Sequence, residues 1–252
     1  MRHPVPRRAE APVSLVVVIG LLTGALGAAW WSLERAPRTT TGAASGAAPV
    51  GSDDDWTARG WSVGPASPVD RSVVRITTTR CGDRIRGSGV IVDGAVLTNR
   101  HVVDRAHQVV LTRADGSTVE VTSIAASSGV DVARLTAPGL GDGLRLASAS
   151  GEQLVGSAGT LIGFPGGHDV ARRPVTVDGT RRGWGFPDPQ RPLHLAVDVV
   201  PGESGSPVVD ATDAVVGLVY ARSNDDGAGL AISAAELRRL TGDLTGVPFE
   251  HC

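Results

Sequence analysis

Residues 199–209 read Val-Val-Pro-Gly-Glu-Ser-Gly-Ser-Pro-Val-Val. A Gly-Ser-Pro knot stands between two valine pairs. The nucleophile elbow of an α/β hydrolase requires Gly-x-Ser-x-Gly leading from a strand into a helix. Here Ser206 stands in place of the last glycine, and Pro207-Val208-Val209 reads as a strand. The stretch therefore points to Ser204 held in a turn between strands. A serine hydroxyl has no useful reactivity until a base activates it, so the remaining chain must supply one.

Working outward, the chain reads as short apolar runs separated by turns. Ser72–Thr77, 89–92, 95–98, 108–112 and 119–125 come first, and a short run at 131–135 follows. Asp93-Gly94 and Asp115-Gly116 lie between such runs, which is a strong hairpin signal. A second set follows at 153–165, 173–183, 194–197, 206–211, 214–223 and 227–233. Ser233 then caps a short helix, Ser-Ala-Ala-Glu-Leu-Arg-Arg-Leu. Ser233 and Glu236 have capping-box spacing, and Arg238 and Arg239 suit the negative end of the helix dipole. The 33 glycines and 16 prolines agree with short strands and many turns. Alternation of helix and strand for a parallel sheet is missing. Two runs of about six strands imply an all-β fold, either two barrels or a sandwich.

Among six histidines, His101 stands out. It follows Leu-Thr-Asn-Arg and precedes Val102-Val103, where a strand runs into a tight polar turn. Asp131 opens a short apolar stretch, as a buried orienting carboxylate should. Ser204 as nucleophile, His101 as general base and Asp131 as the group fixing the imidazole tautomer form a consistent set. The N–H groups of Gly202 and Ser204 are the expected oxyanion donors. His168 with Asp169 makes a poor metal site, because adjacent ligands cannot easily share one ion. His194 reads as structural. The arginine pairs 172–173, 181–182 and 238–239 read as solvated faces. No metal and no cofactor are called for.

The order His, Asp, Ser, with LTNRHVV, DVARL and PGESGSP, resembles the chymotrypsin/trypsin-like serine proteases. Within these it resembles the bacterial HtrA-like branch and, more closely, the mycobacterial acid-resistance, membrane-anchored periplasmic serine proteases. The resemblance covers residues 68–252 and includes RGSGVIV at 86–92. It implies two six-stranded antiparallel β-barrels with a cleft between them, followed by a short C-terminal helix. It also implies a disulfide between Cys81 and Cys252. Asp198 falls near the S1 pocket, and Tyr220, Ala221 and Arg222 form the wall opposite. Glu203 occupies the place of an acid that pairs with a freed N-terminus in secreted digestive members, and no such terminus is evident here. Ser206 in place of glycine and Arg100 in place of alanine depart from the pattern. They leave open a second reading, a catalytically impaired peptide-binding protein of the cell envelope.

The expected organisation is residues 1–12 in the cytoplasm, a transmembrane anchor over 13–31, a flexible linker over 32–64 and a protease domain over 65–252. Within that domain the first barrel spans 68–143, the second 150–232 and the helix 233–241. Residues 13–31 contain no charge, and 19 helical residues approach the ~30 Å apolar thickness of a bilayer. Arg2, Arg7 and Arg8 precede the span and predict an inside N-terminus. A cleaved signal peptide is the alternative, and it gives a secreted product. Two cysteines in an oxidising compartment suggest one disulfide. The net charge of −2 offers no case for nucleic acid. Expected partners are protein or peptide substrates and the membrane through residues 13–31; the sequence fixes no oligomeric state.

Overall fold

The first half is set by its turns. Asp93 and Gly94 both adopt positive φ (48° and 71°), the pattern of a tight hairpin whose twist matches its strands. They join β2 (Arg84–Val92) to β3 (Ala95–Thr98). Asp115-Gly116 likewise joins β4 (Gln108–Arg113) to β5 (Thr118–Glu120). With β1 (Val73–Thr79), β6 (Ser123–Ala126), β7 (Ala133–Thr136) and β14 (Thr245–Val247), these strands form an eight-stranded sheet. Its order is β14-β6-β7-β3-β2-β1-β4-β5. The structure is a computed structural model and describes residues 59–64, 66–181 and 191–252.

The second half is β8 (Ala158–Gly163), β9 (Ala171–Thr180), β10 (Leu193–Asp198), β11 (Pro207–Val209), β12 (Val215–Arg222) and β13 (Ala228–Ser233). These six close into a barrel in the order β10-β13-β12-β11-β8-β9. Among the described residues two short α-helices complete the fold: α1 (Arg100–Val103) after β3, and α2 (Ala234–Leu240) after β13. Ser233 caps α2, its hydroxyl accepting from the Glu236 N–H at 3.3 Å.

The expectation of two six-stranded barrels is thereby corrected to one closed barrel and one eight-stranded sheet. Two physical causes account for the difference. The run at 119–125, read as one strand, breaks after Glu120, because the Val121 N–H turns to the Val109 carbonyl. The chain then restarts as β6. In addition, Thr245–Val247 pairs with Ile124–Ala126 and adds a strand from beyond the barrel. The span expected over 13–31 lies outside the described residues, and among those no helix is long and apolar enough to cross a membrane.

Strand alternation places the core. Along β9, Ala171, Arg173, Val175 and Val177 are buried while Pro174, Thr176 and Asp178 are exposed, the period of two that a half-buried strand requires. Val90, Val92 and Leu97 of the sheet meet Ile162, Leu218 and Ile232 of the barrel in one apolar cluster. That seam fixes the two halves against each other. Cys81 and Cys252 form a disulfide, 171 residues apart in sequence. Residues 61 and 62, read as linker, pack on the barrel: Trp61 is buried, and Ser62 exchanges backbone hydrogen bonds with Arg172 at 2.8 and 3.1 Å.

Candidate active site

α1 is a single turn that begins after Asn99, so His101 projects at the end of β3. The Asp131 carboxylate grips it twice. One oxygen accepts the His101 backbone N–H at 2.9 Å, and the other lies 2.5 Å from Nδ1. A carboxylate only accepts, so the Nδ1 side carries the proton and Nε2 is left as the acceptor. Asp131 is itself fixed, because buried Asn99 donates to its backbone carbonyl at 3.0 Å. The Asp131 side chain is 10% exposed and that of His101 48%, so the carboxylate is dry and the imidazole accessible. Arg100 leans away from the site. It donates to the Ser127 carbonyl at 3.2 Å and lies 3.8 Å from Asp104.

Ser204 sits in the turn between β10 and β11. The Ser204 carbonyl accepts from the Ser88 N–H at 2.7 Å, and the Gly205 N–H donates to Val219 at 2.8 Å. The Pro201 carbonyl accepts from the Gly166 N–H at 2.8 Å. A trans peptide sets its carbonyl and N–H in opposite directions, so the Gly202 N–H faces away from Gly166. Gly202 has φ +94°, and a Cβ there would lie 2.6 Å from the Phe164 carbonyl oxygen; only glycine fits. The N–H groups of Gly202 and Ser204 have no acceptor among the described residues. Nor does any hydrogen bond among them join Ser204 Oγ to the imidazole, a link that commonly tightens only with substrate in place.

Ser206 points away from the oxyanion turn. It is fully buried, and its hydroxyl occupies the space where Gly163 lacks a side chain; a Cβ there would lie 2.0 Å from Ser206 Oγ. The second departure from the usual motif is thus absorbed by a glycine on β8.

Ser88, in the Arg-Gly-Ser-Gly stretch, carries a role that pattern reading did not assign. Its hydroxyl donates to the Gly202 carbonyl at 2.8 Å and accepts the Phe164 N–H at 3.0 Å. Its own carbonyl accepts from Thr98 Oγ1 at 2.7 Å. One buried residue of the sheet thereby holds the serine turn of the barrel.

Glu203 is fully buried beside Ser204. Arg173 Nη2 donates to both its carboxylate oxygens, at 3.0 and 3.3 Å. Burial pushes the Glu203 carboxyl up to about 7, against the pull of Arg173 and of the Val200 N–H. The reading of 172–173 as a solvated pair fails at both positions: Arg173 faces the core, and Arg172 pairs with buried Asp70. Arg181 joins Asp226 at 3.0 Å. His194 is buried between Asp178 and Asp226 and ties β9, β10 and the turn before β13 together.

Asp198 is not a bare acid at the end of a pocket. Arg222 Nε lies 2.7 Å from its carboxylate, and the Arg222 guanidinium crosses over Gly227. Tyr220, Ala221 and Arg222 line a hollow of about 370 Å³ with Arg181 and Leu230. A second groove, of about 440 Å³, runs beside Gly202 along Arg84, Ile85 and Arg86. Among the described residues no group of three His, Cys, Asp or Glu side chains is arranged to hold a metal.

The trypsin-like peptidase domain matches residues 87–218. The chain belongs to this family. Within it the chain falls with the HtrA-like serine proteases. It is 30% identical over 180 residues to serine protease Rv3671c of Mycobacterium tuberculosis, covering 67% of this chain and 45% of the relative. Protease Do-like 1, chloroplastic, of Arabidopsis thaliana is 29% identical over 154 residues, 58% of this chain and 35% of that one. The chain thus spans less than half the length of these curated relatives. In structure it matches the active form of Rv3671c protease with a TM-score of 0.63 and 26% identity, over 73% of this chain and 85% of that one. It also shares the fold of the HtrA-type protease AlgW with tripeptide, at TM-score 0.60 and 24% identity, over 69% of this chain and 61% of that one.

Proposed function

We propose that this family member is a serine endopeptidase that cuts peptide bonds through Ser204, His101 and Asp131. The observation that carries the reading is the double grip of Asp131 on His101, which leaves Nε2 as a base facing the cleft. Ser204 Oγ attacks the scissile carbonyl as Nε2 takes its proton. The oxyanion that forms accepts from the Gly202 and Ser204 N–H groups. The C–N bond breaks as the imidazolium protonates the leaving amine, and an acyl-Ser204 ester remains. Water then attacks the ester by the same proton route.

The substrate is a protein or peptide lying over Tyr220, Ala221 and Arg222. Because Arg222 already holds Asp198, the S1 position does not call for a basic side chain. Placement of the domain outside the cytoplasm is supported by the Cys81–Cys252 disulfide and by the periplasmic proteases that the sequence resembles. Anchoring through residues 13–31 is part of the same proposal, with the protease domain beginning by Trp61.

A fluorophosphonate probe on the full chain tests the central claim. Wild type is expected to label, while Ser204→Ala stays unlabelled and His101→Ala labels at least ~100-fold more slowly, given the weight of triad members. An unlabelled but folded wild type would favour the second reading, a peptide-binding protein without turnover. Extraction of the membrane fraction at high pH tests the anchor: the full chain should stay with the lipid, and release would overturn that part.

A further inference from the structure

We infer that Arg173 is a positioning residue for the reaction, holding the 200–205 turn through Glu203 while itself clamped by Trp61. The inference rests on the reading of Ser204 as the nucleophile.

The argument begins with adjacency. Glu203 precedes Ser204, and its side chain runs inward while the serine faces the cleft. The backbone N–H of Glu203 donates to the Val200 carbonyl at 3.2 Å, and its carboxylate accepts the Val200 N–H. The turn leading into the nucleophile is therefore closed on both sides by this one residue. Its shape then depends on where the Glu203 carboxylate stays.

The carboxylate stays on Arg173. This arginine lies on the inward face of β9, in line with Val175 and Val177. Its side chain is 5% exposed and that of Glu203 is 0% exposed. The same Nη2 also donates to the Asp198 carbonyl, at the end of β10. The guanidinium stacks on the Trp61 ring, with its carbon 4.5 Å from the ring centroid, a favourable cation–π placement. Three distant stretches, 61–62, β9 and 198–203, thus meet at one cation.

A buried ion pair that loses one partner leaves a charge without solvent or counter-charge, which is strongly unfavourable. Without Arg173, the Glu203 carboxylate must take up a proton or leave its site, and either change moves the turn that aims Gly202 and Ser204. The charged neighbours of Glu203 are Arg173 from β9 and Asp198 from β10, with Arg59 next to Arg173. Of these, Arg173 favours the ionised form and Asp198 opposes it. Ionisation of Glu203 sets the pair, so activity should climb with pH as the carboxyl, held at about 7, gives up its proton.

The test is kinetic, on the full chain with a fluorogenic peptide between pH 5 and 9, alongside fluorophosphonate labelling. Arg173→Met should lower kcat by roughly ten- to a hundredfold with KM nearly unchanged, the mark of lost positioning. Its acidic limb should move to higher pH. Arg173→Lys should recover part of kcat and return the limb toward the wild-type position. Trp61→Leu should lower kcat less than Arg173→Met does, with a smaller upward shift of the limb. Should Arg173→Met fail to fold, the lysine and leucine variants decide, since both keep a cation near Glu203. Wild-type kcat and pH profile in the folded variants would overturn the inference. A wild type that does not label overturns the nucleophile reading instead, so the two failures stay distinct.

Discussion

Ser88→Ala probes how the two halves of the fold share one reaction. The Ser88 hydroxyl is the hydrogen-bond partner of two buried backbone groups, the Gly202 carbonyl at 2.8 Å and the Phe164 N–H at 3.0 Å. Alanine keeps the Cβ and removes both contacts. A buried backbone group left without a partner costs about 1–3 kcal/mol, so the pair loses about 3 kcal/mol in total, toward the low end for each. For a domain of this size about 1 kcal/mol moves Tm by about 2–4 °C, which gives a fall of roughly 6–12 °C. The catalytic effect is separate. Removing an oxyanion donor outright lowers kcat by about 10²–10³. Loosening the Gly202 peptide is a smaller insult, and about tenfold in kcat is expected, with KM within about twofold. Thermal unfolding of the full chain and peptide-hydrolysis kinetics read the two quantities independently. A Tm within about 2 °C of wild type together with unchanged kcat would refute the claim that Ser88 holds the turn. A rise in KM alone would place Ser88 in substrate binding.

Other outcomes follow from the same geometry. Ser206→Ala should raise stability by about 1 kcal/mol and leave labelling of Ser204 unchanged, because a buried hydroxyl without a partner among the described residues is removed while its Cβ stays; a loss of stability or of labelling counts against this. Profiling with a peptide library should show no preference for Arg or Lys at P1, and Arg222→Ala should raise the relative rate for P1 Arg by about fivefold, the scale of an exposed ion pair near 1 kcal/mol; an unchanged profile would separate Asp198 from S1. Glu203 binds its proton more tightly folded, near 7, than its ordinary 4.5. Its contribution to stability is therefore full below about pH 4.5, is lost as pH rises toward 7, and is level above, a change of roughly 3 kcal/mol. Denaturant unfolding of wild type and Glu203→Gln should thus diverge between pH 5 and 8, and parallel curves would speak against it.

The pairing of His101 with Asp131 was legible because short local motifs carry both residues. His101, Asp131 and Ser204 each sit beside a local signal: a strand end, an acid opening an apolar run, a glycine turn. The hairpin turns at Asp93-Gly94 and Asp115-Gly116 are local for the same reason, since positive φ at Asp93, Gly94 and Gly116 selects those residues. The number of strands in the first half was not legible. A corner at Val121 leaves the apolar run unbroken, and the pairing of Thr245–Val247 with β6 joins residues more than 100 positions apart. Arg173 was misread through its type, since charged pairs usually face water. The alternation from Ala171 to Val177 held the contrary signal, because it sets Arg173 on the apolar face. Ser88 gave less warning, as a serine between glycines reads equally as a turn or a strand. Ser206 looked like an intrusion until Gly163, 43 residues earlier, supplied the room.

The strand from Thr245 to Val247 has a consequence for the order of assembly. The sheet bearing His101 and Asp131 includes a strand that follows the whole barrel in sequence. Chains are made from the N-terminus, and a domain folds as a unit. When the last strand of the barrel has been made, the sheet still lacks its edge strand and Cys81 its partner. The edge of the sheet that holds His101 and Asp131 is therefore closed only by residues that lie beyond the barrel in sequence.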